Sequence, residues 1–523
     1  MINSTIHIRR IRTLMHLLRP VFLIAAILSA SHTTSPAKVI EYPFPESFPT
    51  SHRYIAKIDG AATPALQTER GAFLSFGMRG EVEIDVELPA EPGEVTIRPL
   101  SSGVTAIIEG KSFRLRLPGP MNLSLEVDGD TDDPLFVFAN PELPDPPSAD
   151  DPKVRFFEGG KIHDVGEIHL SDGETLYLEG GAVVRAVVRA RDASNVRITG
   201  AGILDAGTRT HKTNMLVLRE CRDAVLENII LLDPLGWTIH LSGSEGVQVT
   251  NTRVIGWRAN SDGLDIEYSR DVRVHGCFWR TNDDCIAIKA IYPPCTEGVP
   301  FEEMIDPETL GGHDVPRIEG DVIGDIHISN CVLWNDQKGQ GFEIGFELRV
   351  DHIRNITFRD SDIIHVRGGA FTIHNGDRAK IEDILIENVR VENPDRLIDF
   401  HVGLSIYSDD CPPAYRRSNP DRKSVPAEHR PAMANNPFQW YVPADDDLAQ
   451  FEDNRGHVKN VVVRNIQALQ APKATSIIHG FSPRRNIVNV TIENLEIAGG
   501  KLNSLDQLDL FLEHADEIKV LPR

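Results

Sequence analysis

Val461-Val-Val-Arg-Asn465 and Val490-Thr-Ile-Glu-Asn494 are two copies of a five-residue unit that decides the fold of this chain. Each copy has apolar residues at its first and third positions and closes on Asn, Gly or Asp. Most copies begin 23 to 30 residues after the preceding one, which is the length of one turn of a solenoid. The other seven copies begin at Val196, Ala224, Val247, Val272, Ile326, Ile356 and Ile384.

These units predict short β-strands, because β-branched residues favour strands and the closing residues tolerate left-handed turns. Two steps are longer, 54 and 77 residues, and accommodate insertions within residues 291–320 and 396–456. Long insertions on a rigid scaffold usually carry function, so we expect them to wall a cleft. The sequence therefore predicts a parallel β-helix over residues 153–523.

Residues 38–145 have a different pattern, in which apolar and polar residues alternate between turns. Examples are Val82-Glu-Ile-Asp-Val-Glu-Leu88 and Phe113-Arg-Leu-Arg-Leu117. Alternation with a period of two and regular turns predicts a small antiparallel β-sandwich. The Pro- and Asp-rich residues 140–152 then form the predicted linker to the β-helix.

The first residues follow the pattern of a secretory signal. Arg9, Arg10 and Arg12 precede the apolar run from Val21 to Leu28, and small residues follow it. We therefore expect residues 1–31 to be a signal peptide and the protein to be secreted or periplasmic. An uncleaved membrane anchor is the alternative, although Arg19 and Pro20 leave the apolar run short for a bilayer. After removal of the signal no membrane association is expected.

Composition excludes some classes of partner. The chain is 41% hydrophobic and 25% charged, as in folded soluble proteins, and its formal net charge is −23. So acidic a chain argues against nucleic acid as a partner. The six cysteines lack metal-site spacing and are expected to be buried free thiols. No cofactor or metal is predicted, and the oligomeric state is not indicated.

A second family of strands occurs within the coils. In each, the second and fourth residues are apolar and face inward, so the third and fifth residues face outward. Stacked coils would then form an exterior polar surface from Thr238, His240, Asp265, Glu267, Lys289, Glu343, Thr372 and His374. The aligned segments are Gly236-Trp-Thr-Ile-His240, Gly263-Leu-Asp-Ile-Glu267, Cys285-Ile-Ala-Ile-Lys289, Gly341-Phe-Glu-Ile-Gly345 and Ala370-Phe-Thr-Ile-His374.

Three carboxylates are expected to meet just before these strands. Asp262 and Asp284 occupy the same position on successive coils, and Asp283 precedes Asp284. Their mutual repulsion should retain a proton and raise a pKa, which suits acid/base cleavage of a glycosidic bond. Two alternatives are that these residues only form turns, and that they bind calcium.

The two carboxylate motifs carry a family resemblance. Asn260-Ser-Asp-Gly-Leu-Asp265 and Asn282-Asp-Asp-Cys-Ile-Ala-Ile-Lys289 closely resemble the signature of the polygalacturonases, glycoside hydrolase family 28. The resemblance covers roughly residues 170–395. It implies a right-handed β-helix and single-displacement hydrolysis with inversion. It also implies that Asp283 is the general acid and that Asp262 and Asp284 activate water.

Two departures from this family bear on the substrate. Gln340 stands where the family usually has a histidine, and Thr372 and His374 replace the Arg and Lys that bind a uronate carboxylate. Recognition of a carboxylate is weaker without those cations. A β-sandwich before a β-helix with three Asp residues also resembles family 49, the dextranases and isopullulanases. The predicted substrate is therefore pectin-type or a neutral α-glucan.

The remaining polar residues are candidate sugar ligands, and the expected partner is a polysaccharide or oligosaccharide. Trp237 is expected to pack in the core. Two other functions stay open: a β-helix polysaccharide lyase acting on a uronate, and a non-catalytic carbohydrate-binding solenoid. The predicted substrate-binding residues are Asp265, Glu267, Lys289, Gln340, Glu343, His374 and His240.

Overall fold

The computed structural model describes residues 38–207, 210–291, 320–412, 440–441 and 448–522. The predicted signal peptide, most of both predicted insertions and Cys295 lie outside these ranges. Ala37–Arg523 forms one compact unit. Among the described residues, no helix is long and apolar enough to cross a membrane.

Two small sheets precede the β-helix and contain the alternating segments. Their inward residues form one apolar core, which includes Ile84, Val86 and Leu115. One pairing, Leu135–Pro141 with Gly71–Arg79, is parallel, so the sandwich is not wholly antiparallel as predicted. The first sheet contains Lys38–Ile40, Leu66–Thr68, Gly71–Arg79, Val95–Arg98, Met121–Val127 and Leu135–Pro141; the second contains Ile55–Ile58, Ala61–Thr63, Val82–Glu87, Ile107–Glu109 and Ser112–Leu117.

The rest of the chain is a right-handed parallel β-helix, as predicted, with three strand columns. We call the first column the repeat sheet, because it contains all nine five-residue units. The nine closing residues, from Gly200 to Asn494, all have positive φ, which is the conformation that Asn, Asp and Gly tolerate best. Its strands are Val154–Phe157, Thr175–Leu178, Arg197–Gly200, Val225–Glu227, Glu245–Thr250, Arg270–His275, Val322–Ser329, His352–Arg359, Lys380–Val391, His457–Ala468, Ile487–Ile497 and Ala515–Leu521.

The second column, the interface sheet, lies against the N-terminal sheets. Phe136 and Phe138 pack edge-on against Phe278, and Phe136 also contacts Trp334. This apolar contact explains why both parts belong to one compact unit. The interface strands are Ile203–Asp205, Ile230–Leu232, Arg253–Ile255, Phe278–Thr281 and Val332–Asn335, with the first halves of Ile162–Leu170, Val183–Arg191 and Asp362–Asn375.

The third column, the site sheet, carries the second family of strands. Its inward residues stack in the coil core, as in Leu264, Ile286 and Phe342. It comprises Leu216–Arg219, Ile239–Ser242, Leu264–Glu267, Ile286–Ala290, Phe342–Leu348, Pro394–Val402, Ser476–His479 and Leu510–Glu513, with the second halves of Ile162–Leu170, Val183–Arg191 and Asp362–Asn375. Minor elements are the strands Leu404–Ser405, Trp440–Tyr441 and Gly500–Lys501, the α-helix Leu448–Glu452, and 3-10 turns at Leu100–Ser102 and Leu505–Gln507.

The register of the site sheet agrees with the predicted alignment for four of its five segments. The exception is the first segment, where Ile239 and not Trp237 pairs with Leu264. This shift of two residues puts Trp237 level with Asp262 at the strand entrance. The prediction that Trp237 packs in the core was therefore wrong. The aligned segment ended at His240, but the inward alternation continues to Leu241. The two inward residues of this strand are therefore Ile239 and Leu241, which pair with Leu264 and Ile266.

Candidate active site

The β-helix brings Asp262, Asp283 and Asp284 together at the entrance of two neighbouring site-sheet strands. The N–H of Gly263 donates to the carbonyl of Asp284 at 2.9 Å, which fixes the two coils in register. One carboxylate oxygen from each of the three residues lies within 4.8 Å of the others. Asp262 and Asp284 are buried, whereas Asp283 is half-buried.

The backbone of Asp283 is held from two sides. Its carbonyl oxygen accepts hydrogen bonds from Thr281 Oγ1 at 2.6 Å and from Asn335 Nδ2 at 2.8 Å. Asn335 is itself buried, and its Oδ1 accepts a bond from the N–H of Arg367 at 3.0 Å. The position of the Asp283 carboxyl is therefore set by backbone contacts that do not depend on its charge.

Lys289 is the counter-ion of the site. Its Nζ lies 3.0 Å from Asp262 Oδ2, 3.1 Å from Asp265 Oδ1 and 3.3 Å from Asp284 Oδ2. The ring of Trp237 covers the ammonium group, with its centroid 4.7 Å from Nζ. Lys289 was predicted to lie on the exterior polar surface, but it is buried and its ammonium is engaged by three carboxylates.

Calcium binding is the alternative role of the three carboxylates. Their oxygens are close enough to share an ion. However, Lys289 already brings the positive charge that an ion would supply, and it contacts both buried carboxylates. We therefore assign no metal to this site.

Burial and crowding alter the proton affinities of the cluster. Burial is the main cause that raises the pKa of Asp265 to about 7 and that of Asp284 to about 8, and neighbouring carboxyls add to the effect at Asp284. The pKa of Asp262 is also raised well above its usual value, by burial against the opposing effect of Lys289. The cluster therefore retains protons at neutral pH.

Stability should consequently fall as pH rises from about 6.5 to 9. Asp265, Asp284 and His374 all have raised folded-state pKa values, the last about 10, so the folded protein binds more protons than the unfolded chain in this window. We expect a loss on the order of a few kcal/mol in the free energy of unfolding. Urea denaturation at several pH values measures it, and Asp284→Asn should flatten the curve. A rise in stability across this window would contradict the assignment.

Gly339 and Gln340 pack directly against the trio. The Gln340 N–H donates to Asp284 Oδ1 at 2.8 Å, and the Gln340 side-chain oxygen accepts from the N–H of Gly369. Gly339 has a φ of 72°, and a Cβ there would lie 2.4 Å from Asp284 Oδ1 and 2.5 Å from Asp283 Oδ1. Only glycine fits between these two carboxyls.

Gly339→Ala should therefore reduce activity by about 10²-fold or more, because small misplacements of reacting groups are costly. The added methyl group would push Asp283 and Asp284 apart without removing any ionisable group. Steady-state kinetics measures this loss. Gly499→Ala, at another positive-φ glycine with open space around it, controls for backbone strain. Equal activities of the two variants would be inconsistent with a packed site at Gly339.

His240 and Glu267 form a pair beside the trio. His240 Nε2 lies 2.7 Å from Glu267 Oε2, and its Nδ1 lies 3.2 Å from Asn214 Nδ2. Asn214 Oδ1 also accepts a hydrogen bond from the backbone N–H of Trp237 at 3.1 Å. This chain of contacts orients Trp237 over Lys289.

Glu343 and His374 form a second pair on the other side. His374 Nδ1 lies 2.9 Å from Glu343 Oε1, and its Nε2 lies 3.5 Å from Asp399 Oδ1. Glu343 is also hydrogen-bonded to Asp284. Burial lowers the pKa of His374, but Asp399 and Glu343 outweigh it and raise the value to about 10. His374 is therefore an imidazolium at neutral pH.

The expected exterior polar surface is mostly buried in the described part of the site. Asp265 is 0% exposed, Glu343 1% and His374 3%. The side chains pair with one another across coils, which compensates for their lost hydration. Thr372 donates to the Phe342 carbonyl at 3.0 Å, and Thr238, which precedes its strand, is buried as well. The alternation along each strand indicated which side chains lie on the outer face of the site sheet. It could not indicate whether other groups cover that face.

Several residues of the site were missed by the sequence prediction. Asn335, Asn214 and Asp399 hold Asp283, His240 and His374 respectively. Asn335 and Asn214 lie in segments without a recognisable motif. For Asp399 a signal existed, because Ile398-Asp-Phe-His401 has the same apolar alternation as the aligned strands. Five cysteines of the described chain are buried and free, as expected.

Known proteins resemble this chain in sequence and in fold. A family model described as glycosyl hydrolases family 28 matches residues 184–297. No curated protein matches the chain. Dex49A from Penicillium minioluteum is 14% identical, with a TM-score of 0.60 over 92% of this chain and 96% of that one. A hyperthermoactive exopolygalacturonase from Thermotoga maritima is 17% identical, with a TM-score of 0.47 over 69% and 82%.

The architecture is therefore that of the right-handed parallel β-helix glycoside hydrolases. Within that class, the family 28 match spans both carboxylate motifs, Asn260–Asp265 and Asn282–Lys289. The resemblance to the polygalacturonase-like superfamily, predicted from these motifs, is confirmed.

Proposed function

We propose that this protein hydrolyses a glycosidic bond in a polysaccharide by acid/base catalysis, with inversion at the anomeric carbon. The observation that carries the proposal is the difference among three adjacent carboxyls. Asp283 is half-buried and can reach a substrate, whereas Asp262 and Asp284 are buried against Lys289. Different environments for neighbouring carboxyls are what separate acid and base roles.

In the proposed reaction, Asp283 donates its proton to the glycosidic oxygen of the leaving sugar. A water molecule attacks the anomeric carbon and gives its proton to Asp262 or Asp284. The nearest oxygens of the trio lie within 4.8 Å, closer than the ~6.5–9.5 Å usual between the acid and base of inverting enzymes. The proposal of inversion therefore rests on the resemblance to family 28. Its test is the anomeric configuration of the first product.

The charge of the site supports a neutral sugar as substrate. In the described part of the site, Lys289 contacts three carboxylates and His374 lies between Glu343 and Asp399. A uronate carboxylate would meet cations that the protein's own carboxyls already engage. A neutral α-glucan of the dextran or pullulan type is therefore proposed ahead of polygalacturonan.

A lyase mechanism is disfavoured by the state of Lys289. Such a reaction needs a basic residue that can accept the proton next to a uronate carboxylate. Burial lowers the pKa of Lys289, but Asp262, Asp265 and Asp284 outweigh it and raise the value well above its usual range. A lysine held as an ammonium ion in this way is a poor base.

A reducing-sugar screen tests the proposed function. Wild type and Asp283→Asn are incubated with dextran, pullulan, polygalacturonan, rhamnogalacturonan and algal galactans, with and without chelator. We expect wild type alone to release reducing ends from a neutral polymer, with no effect of the chelator and no ultraviolet-absorbing product. Proton NMR of the first product should show the inverted anomer. An unsaturated, ultraviolet-absorbing product would instead identify a lyase.

Export is part of the same proposal, because polysaccharides of this kind lie outside the cell. Expression of the full chain in a bacterial host should yield a shortened protein in the periplasm or medium, cut near residue 31. N-terminal sequencing of that protein measures the cleavage site. Recovery of the full chain from the cytoplasm would contradict export.

A further inference from the structure

A continuous row of charged side chains runs away from Asp284 across three coils. Asp284 is hydrogen-bonded to Glu343, and Glu343 Oε1 lies 2.9 Å from His374 Nδ1. His374 Nε2 lies 3.5 Å from Asp399 Oδ1, and Asp399 Oδ2 lies 3.4 Å from Arg396 Nη1. The row follows the register of the site sheet, in which Glu343 pairs with Thr372 and Thr372 pairs with Asp399.

Glu343 and His374 are too deeply buried to be simple sugar ligands. Glu343 is 1% exposed, and the His374 ring stacks on Phe346 at 4.4 Å between centroids. Both ring nitrogens of His374 lie next to a carboxylate, so their contacts are satisfied within the protein. Their position next to a catalytic carboxyl calls for a different role.

We propose that Glu343 and His374 are positioning residues that set the pH at which Asp284 loses its proton. This inference rests on the proposed function and deepens it. Glu343 and Asp284 are two buried carboxyls in contact, so the charge on Glu343 opposes the loss of a proton from Asp284. The imidazolium of His374 stabilises the negative charge on Glu343 and thereby on the pair.

Other charged groups also face this pair. Three carboxyls and the ammonium of Lys289 lie on the coils that precede this pair. Their effects are the same in every variant. Beyond it, His401 pairs with His374 in the site sheet, but burial lowers the pKa of His401 well below its usual value, so this ring is neutral. The facing groups are Asp262, Asp265, Asp283, Cys285, Lys289, Glu347, Asp399, Arg396, His401 and His479.

Two substitutions should shift the pH profile in opposite directions. His374→Gln keeps a hydrogen-bond donor but removes a positive charge, so the acidic limb of kcat/KM should move up by about one pH unit. Glu343→Gln removes a negative charge beside Asp284, so the same limb should move down by about one unit. His401→Gln removes the uncharged ring that pairs with His374 in the site sheet, and should leave the acidic limb of kcat/KM in place. Disturbed packing alone would not give opposite signs.

Shifts of the same sign, or no shift in either variant, would overturn the proposal. Nitrogen-15 NMR of histidine-labelled protein gives a second readout that needs no substrate and no active variant. The His374 ring, assigned by its absence in His374→Gln, should remain doubly protonated at pH 8, and should titrate at lower pH in Asp399→Asn. A neutral His374 ring at pH 8 in the wild type would also overturn it. Activity of Asp283→Asn would instead refute the proposed function and leave this NMR result unchanged.

Discussion

Asp283→Asn is expected to lower kcat by roughly 10²- to 10⁴-fold, the usual contribution of a general acid. An amide of the same size cannot donate the proton that the leaving oxygen needs. The fold should survive, because Thr281 and Asn335 hold the backbone carbonyl of residue 283 and not its carboxyl. Steady-state kinetics on the polymer that the screen identifies measures the loss, and urea denaturation measures the fold.

The nature of the leaving group separates the acid from the base. An aryl glycoside with an acidic phenol needs little protonation, so the loss in Asp283→Asn should shrink on that substrate. Replacement of the base, Asp262 or Asp284, by Asn should lower activity on both substrates, because water still has to be activated. Asp453→Asn, at a side chain that is 83% exposed, serves as the control. Near-normal turnover of the polymer by Asp283→Asn would remove Asp283 from the mechanism.

Lys289→Met should give the largest loss of stability, about 3–5 kcal/mol in the free energy of unfolding at pH 7. The substitution fills a similar volume but leaves Asp262, Asp265 and Asp284 without the ammonium that contacts all three. The loss should be smaller at pH 5, because Asp265, whose pKa is about 7, can then take up a proton in place of its counter-ion. Activity should fall with it, because the carboxylate that accepts a proton from water becomes harder to ionise.

Lys459→Met provides the matched control for this change. Lys459 is exposed on the strand His457–Ala468 of the repeat sheet, far along the chain from the trio. Its replacement should change the free energy of unfolding by no more than about 0.5 kcal/mol. A similarly small effect of Lys289→Met at pH 7 would mean that the carboxyls are already neutral without it, and would refute the ion cluster.

The local pattern of residues was enough to predict the strands and their stacking. The closing residues from Gly200 to Asn494 specify left-handed turns, and apolar alternation specifies which side chains fill the coil. In a solenoid, each strand pairs with the strand one coil further along the chain. The spacing of the five-residue units therefore also predicts which strands are neighbours. The same reasoning brought Asp262 and Asp284 to one level with Asp283 beside them, and the family resemblance gave Asp283 the role of general acid.

Alternation was not enough at the one segment where the inward row continued past the aligned residues. Trp237 was predicted to lie in the core, yet it covers Lys289. A shift of two residues preserves the inward and outward pattern, so alternation alone does not choose between the two registers. Only the hydrogen bonds between coils, such as Ile239 N–H to the Gly263 carbonyl at 3.0 Å, decide the register.

The sequence by itself thus determined the β-helix, its repeat sheet and the meeting of the carboxylate motifs, since each depends on periodicity along the chain. The tertiary structure alone decided which charges compensate one another. Lys289 lies under three carboxylates, and His374 lies between Glu343 and Asp399, because strands from different coils stack in a fixed register. Burial and distance set the strength of such interactions, and neither quantity is encoded in any single stretch of residues.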